Sequence, residues 1–453
     1  GALLSASDVT VDALFQQAGV IRTDTLAELF DAALLMGSQP LPAGNRGAIL
    51  TNAGGPAILC ADACEAAGLV VPPLPAEVRA ELASFLPAAA STTNPVDMIA
   101  SATGDDYRRA IGVLGHCPDV DALIVVFTPP LVTSAPEVIR AIHAGARELP
   151  RPIPLLSVFM SKQSTPRLIR SGETAIPHYP FPEEAARSLA LATHYAAWRK
   201  IPEESPAELD GIDRDHASAV IAAALAQEPG WMTAAAVAEL LGCYGIPLVE
   251  TRIAASARDA GRAARGLGPK VALKAIAPGV LHKSDAGGVR LGLKAGAPVE
   301  RAAQEMAEAF EHAGHPIEAF QVQPIVEPGV EMIVGVVQDQ HFGPVLACGA
   351  GGTATELLKD VAVRITPITR GEASRMVRSL RTFPQLDGYR GAPKADVAAL
   401  EDALLRVSAL VEGHPEIAEM DLNPLVVHQT GAVAVDARIR LEPGVERRPL
   451  GAR

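Results

Sequence analysis

Residues 271–289 combine a lysine inside an apolar run with a histidine in a loop bounded by proline and glycine. Lys274 lies in the run, where a buried ammonium group is costly unless an anion such as a nucleotide phosphate neutralises it. His282 follows a Pro-Gly pair and precedes Gly287–Gly288, residues that give the backbone unusual freedom. A neutral imidazole is nucleophilic near pH 7, so the pattern predicts a loop that handles phosphoryl groups. The alternative is an exposed histidine without a function.

A second cluster of polar side chains lies near the end of the sequence. Asp421 and Asn423 are two residues apart in one predicted strand, so their side chains point to the same face. Asp436 lies almost opposite Asn423 if the two strands form a hairpin with its turn near Thr430. Carboxylate and amide oxygens beside phosphates are typical Mg²⁺ ligands, whereas the alternative is a solvated hairpin with a few acids. The residues alone leave both interpretations open.

Glycine-containing loops form a third kind of candidate. Gly351 and Gly352 follow an apolar run directly, as in loops that bind phosphates through backbone N–H groups, although such a cluster is more often a plain turn. Three loops in the first half, 50–56, 94–97 and 127–130, are expected to line one edge of the predicted sheet. The carboxyl ends of parallel strands often bind ligands, but ordinary strand-to-helix connections explain these loops equally well.

The elements that must position these residues fall into two patterns. Between about residues 45 and 200, apolar runs such as 47–51, 123–127 and 155–159 alternate with amphipathic segments, which predicts a parallel sheet covered by helices on both faces. The second half carries more closely spaced strands and ends in the hairpin 422–439, which predicts an α+β unit with antiparallel pairing.

Composition narrows the possible classes of protein. The chain has 453 residues, 49% of them hydrophobic, which is enough for more than one domain. Its net charge of −13 disfavours nucleic acid and anionic membranes as partners, and no apolar stretch approaches the roughly 20 residues of a membrane span. Its five cysteines show no CxxC pair, which argues against a disulfide framework and favours a cytoplasmic protein.

The motifs together resemble the ADP-forming acyl-CoA synthetases, a family related to succinyl-CoA synthetase. The resemblance rests on GNRGAILTNAGGPAILCADACEAAG, NPVDMIASA, VALKAIAPGVLHKSDAGGVRLGL, VQPIVEPGVEMIVGVVQD and DLNPLVV followed by AVDARIRL. It implies an α/β protein with a flavodoxin-like, parallel-sheet ligase domain followed by an ATP-grasp domain. The implied boundaries are 1–44 for the tail of a first ligase-like domain, 45–200 for a second ligase-CoA domain, 201–228 for a linker and 229–445 for the ATP-grasp domain.

The resemblance also implies an acid–thiol ligase that interconverts acyl-CoA, ADP and phosphate with acid, CoA and ATP through phosphohistidines. On this reading His282 carries the phosphoryl group, and Lys274 binds phosphate. Glu327 and Glu331 lie where nucleotide hinge and ribose contacts are expected. The remaining assignments are Gly351 and Gly352 near the nucleotide, and Asn423, Asp436 and the neighbouring Asp421 at Mg²⁺.

Two further expectations follow from the resemblance. The family's first phosphohistidine and its CoA-binding domain would precede Gly1, so we expect this polypeptide to bind nucleotide without completing the acyl-CoA cycle, and to need that domain or subunit as a partner. We also expect a homo-oligomer. The alternative function is the ligand-sensing region of a fusion with a GNAT-type protein acetyltransferase.

Overall fold

The structure is a computed structural model that divides into two compact units, Phe15–Glu203 and Glu204–Arg453, the second also including Gly1–Leu14. It describes residues 7–130, 133–160, 166–172, 174–277, 287–339, 341–352 and 360–444. His282 therefore lies outside the described residues. Among the described residues, no helix has the length and apolar character that crossing a membrane requires.

A six-stranded sheet forms the centre of the unit Phe15–Glu203, with the strand order β2-β1-β3-β4-β6-β5. The pairs from β2 to β6 are parallel, and only β5 pairs antiparallel at the edge. This is the flavodoxin-like order with one added edge strand, so the predicted fold class is confirmed. The strands are β1 Gly47–Thr51, β2 Val96–Asp97, β3 Ala122–Phe127, β4 Leu155–Phe159, β5 Leu168–Ser171 and β6 Thr174–Tyr179.

Helices cover both faces of this sheet. Every residue of β1, β3 and β4 is buried, as expected for continuous apolar strands between two helical layers. One apolar core lies under the helices Ala76–Ala83, Gly104–His116 and Ala135–Arg147. The other lies under the helices Leu26–Ser38, Gly54–Ala66 and Pro182–Trp198.

The second unit contains two antiparallel sheets. The small one has the order β10-β9-β11-β8, and its apolar face packs against the helices Ala257–Ala263 and Ala297–His312. The large one has the order β14-β13-β12-β15-β17-β7, with β16 also paired to β15. The strands are β7 Gly230–Trp231, β8 Arg252–Ala254, β9 Lys270–Ile276, β10 Val289–Lys294, β11 Ala319–Pro324, β12 Val330–Asp339, β13 Gly343–Ala350, β14 Val361–Ile365, β15 Ile417–Val427, β16 Ala432–Ala434 and β17 Ala437–Leu441.

One face of the large sheet carries the main core of this unit. That core lies against helices Arg214–Gln227, Ala234–Cys243, Arg370–Arg378 and Val397–Gly413, and a short helix, Phe383–Leu386, and a 3₁₀ turn, Tyr389–Gly391, follow the third of them. On the opposite face, Ala13 packs against Val345, Ala347 and Val363.

The segment 201–228, which we predict as a linker, contains more structure than its composition suggests. Asp213 accepts a hydrogen bond from the His216 N–H and caps the helix Arg214–Gln227, in which Val220 and Ile221 are buried in the main core. Glu204 accepts a hydrogen bond from the Gly371 N–H at 2.7 Å. An alanine-rich helix with few apolar anchors is easily read as a linker, and the domain boundaries themselves stay a prediction.

Candidate nucleotide and phosphate sites

Lys274 lies on the face of the small sheet that is turned away from the helices. Val271, Leu273 and Ala275 belong to the apolar core with those helices, so strand alternation puts Lys274 on the opposite side. Its backbone is in register with Gln321 on β11 and Val289 on β10, and its side chain is half-buried. The cationic side chain of Lys274 on this face suits the binding of an anion.

The predicted hairpin is present in the large sheet. Strand β15 pairs with β16 around a turn in which the His428 N–H donates to the Gly431 carbonyl at 3.0 Å. The Asn423 N–H donates to the Asp436 carbonyl at 3.1 Å, so these two residues are direct neighbours across the strands. The Asn423 side chain is exposed, and the Asp436 side chain is half-buried. The structure therefore makes neighbours of two residues with oxygen-bearing side chains that are 13 residues apart in the sequence.

Asp421 shares this part of the sheet, where it pairs with Gly335 on β12 and Arg438 on β17. Burial raises the pKa of Asp421, and the like charges of Asp436 and Glu419 act in the same direction. Among the described residues, no group of three His, Cys, Asp or Glu side chains could hold a metal ion. The donor set at Asn423 and Asp436 nevertheless fits Mg²⁺, which needs only one or two protein ligands and takes the rest from water and phosphate.

Glu331 and the two glycines of the third motif lie in contact. The Gly351 N–H donates to the Glu331 carbonyl at 2.7 Å. A Cβ atom at Gly351 would lie 2.8 Å from the Glu331 carbonyl carbon, and Gly352 has a φ of +71°. Only glycine fits both positions without strain. Glu331 itself is exposed, as is Glu327 in the connection between β11 and β12.

Gln323 links the two sheets, although no sequence motif predicts it as a site residue. Its Nε2 donates to the Thr251 hydroxyl at 2.8 Å and to the Val435 carbonyl at 3.0 Å. Val435 precedes Asp436, and Gln323 lies two residues beyond Gln321, the register partner of Lys274. The link thus places the Lys274 face of the small sheet beside the strand that leads into Asp436. The sequence gives no signal that distinguishes Gln323, because it follows the regular alternation of β11, in which Gln321 occupies the same face.

The loop ends of the first unit also meet at the carboxyl edge of its sheet. Asn52 and Thr128 exchange two hydrogen bonds of 2.9 Å, which join the loops after β1 and β3. Asp97, at the end of β2, would lie 3.1 Å from a Cβ atom at Gly54, the first residue of the helix Gly54–Ala66. Ala53 provides no side-chain cap to that helix, so its N–H groups are available to an anion.

One strained residue lies at the same edge. Ile99 adopts a φ of 62°, which a β-branched residue rarely tolerates, and its N–H donates to the Asp97 carboxylate at 3.0 Å. Residues in such conformations cluster at binding sites, so the three predicted loops form one candidate site rather than three separate turns.

Cysteine chemistry is disfavoured at the glycine motif. Cys348 is fully buried in β13, and burial raises the pKa of its thiol to about 12. A thiol of this kind remains protonated and unreactive.

Comparison with known protein families gives the class of each unit. Residues 47–158 match the ligase-CoA domain, and residues 223–441 match the ATP-grasp domain. These two domains in this order define a CoA-ligase architecture.

Comparison with individual proteins identifies the family to which the whole chain belongs. The chain is 36% identical to the ADP-forming acetate–CoA ligase I of Archaeoglobus fulgidus over 97% of this chain and 63% of that protein. It is 39% identical to the β subunit of the ADP-forming acetate–CoA ligase II of Pyrococcus furiosus over 49% of this chain and 97% of that subunit. The chain therefore belongs to the ADP-forming acetate–CoA ligase family, and the resemblance found in the sequence is confirmed.

A solved structure is also similar, that of the dinucleotide-forming acetyl-coenzyme A synthetase 1 of Ca. Korarchaeum cryptofilum in complex with coenzyme A, Ca-AMPCP and HgCl⁺. It matches 50% of this chain and 100% of that chain, with 35% identity and a TM-score of 0.47. The chain spans about 63% of the length of the Archaeoglobus relative.

Proposed function

We propose that the chain carries the nucleotide-dependent part of an ADP-forming acyl-CoA synthetase. The overall reaction converts acyl-CoA, phosphate and ADP into the free acid, CoA and ATP. The observation that supports the proposal is the Gln323 link, a hydrogen bond from the strand that faces Lys274 to the Val435 carbonyl, which precedes Asp436. We propose that Lys274 and the pair Asn423–Asp436 share one nucleotide cleft between the two sheets. Relatives named as ligases favour this function over the ligand-sensing alternative.

Each residue of the cleft has a proposed role that follows from its charge and position. Lys274 neutralises nucleotide phosphate, and Asn423 and Asp436 hold Mg²⁺ with Asp421 nearby. Bound Mg²⁺ supplies charge neutralisation during phosphoryl transfer. Glu327 and Glu331 contact the hinge side and the ribose of the nucleotide, while the backbone of Gly351–Gly352 approaches the phosphates.

His282 is proposed as the carrier of the phosphoryl group. Its imidazole nitrogen forms a P–N bond as the P–N bond to a first phosphohistidine breaks. A terminal phosphate oxygen of ADP then attacks phosphorus, the P–N bond to His282 breaks, and ATP and free imidazole result. Such transfers depend mainly on alignment and charge neutralisation, which the cleft residues would supply.

The carboxyl edge of the first unit is proposed as the second phosphate site. The open N-terminus of the helix Gly54–Ala66 would stabilise an anion during the steps on the acyl side. Those steps also require a CoA-binding domain and a first phosphohistidine, which we propose come from a further domain or subunit. The separate β subunit in Pyrococcus furiosus supports a division of this kind. We further propose a cytoplasmic homo-oligomer, and the five buried free cysteines suit a reducing compartment.

Labelling tests the proposal directly. The chain is incubated with Mg²⁺ and ATP labelled in the γ-phosphate, and acid-labile label is sought on His282. His282→Ala should abolish the label. His315→Ala, which removes an exposed histidine of the same unit, should retain it. Label that persists in His282→Ala would refute the role of His282.

Nucleotide binding is tested separately by thermal denaturation. ADP with Mg²⁺ at about 100 times its dissociation constant should stabilise the unit Glu204–Arg453 by about 2.7 kcal/mol. No shift of the melting temperature at saturating nucleotide would refute the assignment of the cleft.

A further inference from the structure

A groove lies between the helices Arg214–Gln227 and Ala234–Cys243 of the second unit. Its volume is about 560 Å³, and Val220, Met232 and Leu441 contribute to its apolar lining. Alanines of both helices line it as well, so another segment of chain can approach the helix backbones closely. Among the described residues that line the groove, none belongs to the proposed nucleotide cleft. An apolar concave surface of this kind is typical of a separate binding site.

The groove has two polar ends and reaches the edge of the large sheet. At one end, His216 Nε2 and Glu239 Oε1 lie 2.9 Å apart and join the two helices. At the other end, Gln227 and Glu228 follow from the last turn of the first helix. The strand β7, which ends the strand order of the sheet, also lines the groove. The 11 residues from His216 to Gln227 correspond to about 17 Å of helix, which gives the length of the groove.

The charge of the lining limits what can bind. Among the described residues that line the groove, Glu228 and Glu239 are acids, and none is a lysine or an arginine. An occupant that complements this surface brings an apolar side chain for the lining and positive charges for the two ends.

The last nine residues of the sequence, 445–453, have this chemistry. They read VERRPLGAR and lie outside the described residues. Leu450 is their largest apolar side chain, and three arginines stand at positions 447, 448 and 453 around it. The segment therefore pairs one apolar anchor with positive charges on both sides, which matches an apolar groove with an acid near each end.

The segment also begins beside the groove. Leu441 lines the groove and pairs with Gly230, which lines it too. The described chain continues only to Gly444, three residues further. Nine extended residues span up to about 30 Å, which exceeds the length of the groove. An attachment this short gives the segment an effective concentration of about the millimolar range, so the chain's own segment is favoured over that of a second copy.

We propose that residues 445–453 bind within their own chain to the groove between the helices Arg214–Gln227 and Ala234–Cys243. Leu450 packs on the apolar lining, and the arginines lie near Glu228 and Glu239. The bound segment covers the edge of the large sheet at β7, which otherwise offers unpaired backbone groups to other chains. This inference is independent of the proposed function, because it involves no nucleotide.

Trypsin cleavage of the full chain tests this docking. Trypsin cuts after Arg447 but not between Arg448 and Pro449, so cleavage removes residues 448–453, which mass spectrometry detects. The cleavage rate follows the fraction of chains in which the segment is released from the groove. Ala223→Arg fills the groove, so the wild type should be cleaved about tenfold more slowly than this variant, as one buried leucine and its ordering cost imply.

The matched control is Ala222→Arg. Ala222 is the neighbouring alanine on the same helix and is exposed like Ala223, but it does not line the groove. This variant should be cleaved at the rate of the wild type. Raising the NaCl concentration to about 0.5 M should speed cleavage of the wild type, because salt screens the attraction between the arginines and the two acids.

The remaining outcomes decide between occupants. Leu450→Asp leaves the groove unchanged and should be cleaved as fast as Ala223→Arg. If Ala223→Arg does not fold, Leu450→Asp takes its place, and a rate equal to that of the wild type refutes the docking. Equal rates in the wild type and in Ala223→Arg refute it as well. Protection that rises with protein concentration means that a second copy supplies the segment, which also overturns the proposal.

Discussion

His178 makes the unit Phe15–Glu203 sensitive to acid. The residue lies in β6, is 3% exposed, and its ring packs edge-on against Phe159 with 5.4 Å between ring centroids. Its Nδ1 is buried without a hydrogen-bond partner. Burial, helped by the positive charge of Arg167, lowers the pKa of His178 from 6.5 to about 4.

The sign of the effect follows from these two values. Above pH 6.5 the imidazole is neutral in both the folded and the unfolded chain, and it does not affect stability. Between pH 6.5 and about 4 the unfolded chain binds the proton while the folded one does not, so the free energy of unfolding falls with pH. The loss amounts to about 2 kcal/mol at pH 5 and about 3 kcal/mol at pH 4.

His178→Phe should remove this acid-dependent loss while keeping an aromatic contact with Phe159. The assay is urea unfolding at pH 7 and pH 5, followed by Trp198 fluorescence in a Trp231→Phe background, since each unit contains one of the two tryptophans. Trp198 packs against Gly19 within its own unit and therefore reports its unfolding.

The comparison between pH values decides the result. From pH 7 to pH 5, the wild type should lose about 2 kcal/mol more than the variant. His143 is also buried with a lowered pKa, but its contribution is common to both proteins and cancels. His194→Gln, a change at an exposed position of the same unit, should behave as the wild type. Equal losses in wild type and His178→Phe would refute the reasoning.

Three predictions concern the ATP-grasp cleft. Gly351→Ala places a Cβ atom 2.8 Å from the Glu331 carbonyl carbon, so the free energy of unfolding, measured by thermal melting, should fall by about 1–3 kcal/mol. The control Gly242→Ala, which has open space at its Cβ, should show no such loss. Lys274→Met should raise the ADP dissociation constant about 10-fold or more in calorimetry, because a charged hydrogen bond to phosphate is lost. An unchanged dissociation constant would contradict the proposal that Lys274 binds phosphate. Asn423→Ala should raise the Mg²⁺ concentration needed for half-maximal ADP binding, and an unchanged Mg²⁺ titration would contradict its role as a ligand.

The strands that the sequence predicts well are those whose burial is uniform. The run Gly47–Thr51 is β1 without any shift of its ends, because every one of its residues is buried between two helical layers. The hairpin was equally clear, since a glycine turn separates two apolar runs and fixes their pairing. In contrast, the edge hairpin of β5 and β6 was not predicted. Its β5 residues are only half-buried or exposed, so no hydrophobic pattern marks them.

The site residues were predictable where a single local motif carries them. Asn423 and Asp436 are joined by the turn between them, and Gly351 directly follows a strand. Gln323 was not predictable, because the partners of its amide are 72 and 112 residues away in the sequence. Its role depends on how two sheets meet, and strand periodicity contains no information about that. The role of His282 stays a prediction.

The strand that carries Asn423 also explains how one segment serves both the core and the cleft. Leu422 and Leu425 are both fully buried, although they are three residues apart, which a regular strand with a period of two does not allow. The register between β12 and β15 shifts at this point, between Met332 and Val334. The irregularity returns Leu425 to the core while Asn423 is left exposed beside Asp436. In a regular strand, Leu425 could not be buried on the same side as Leu422 while Asn423 stays exposed. The irregularity is what makes this arrangement possible.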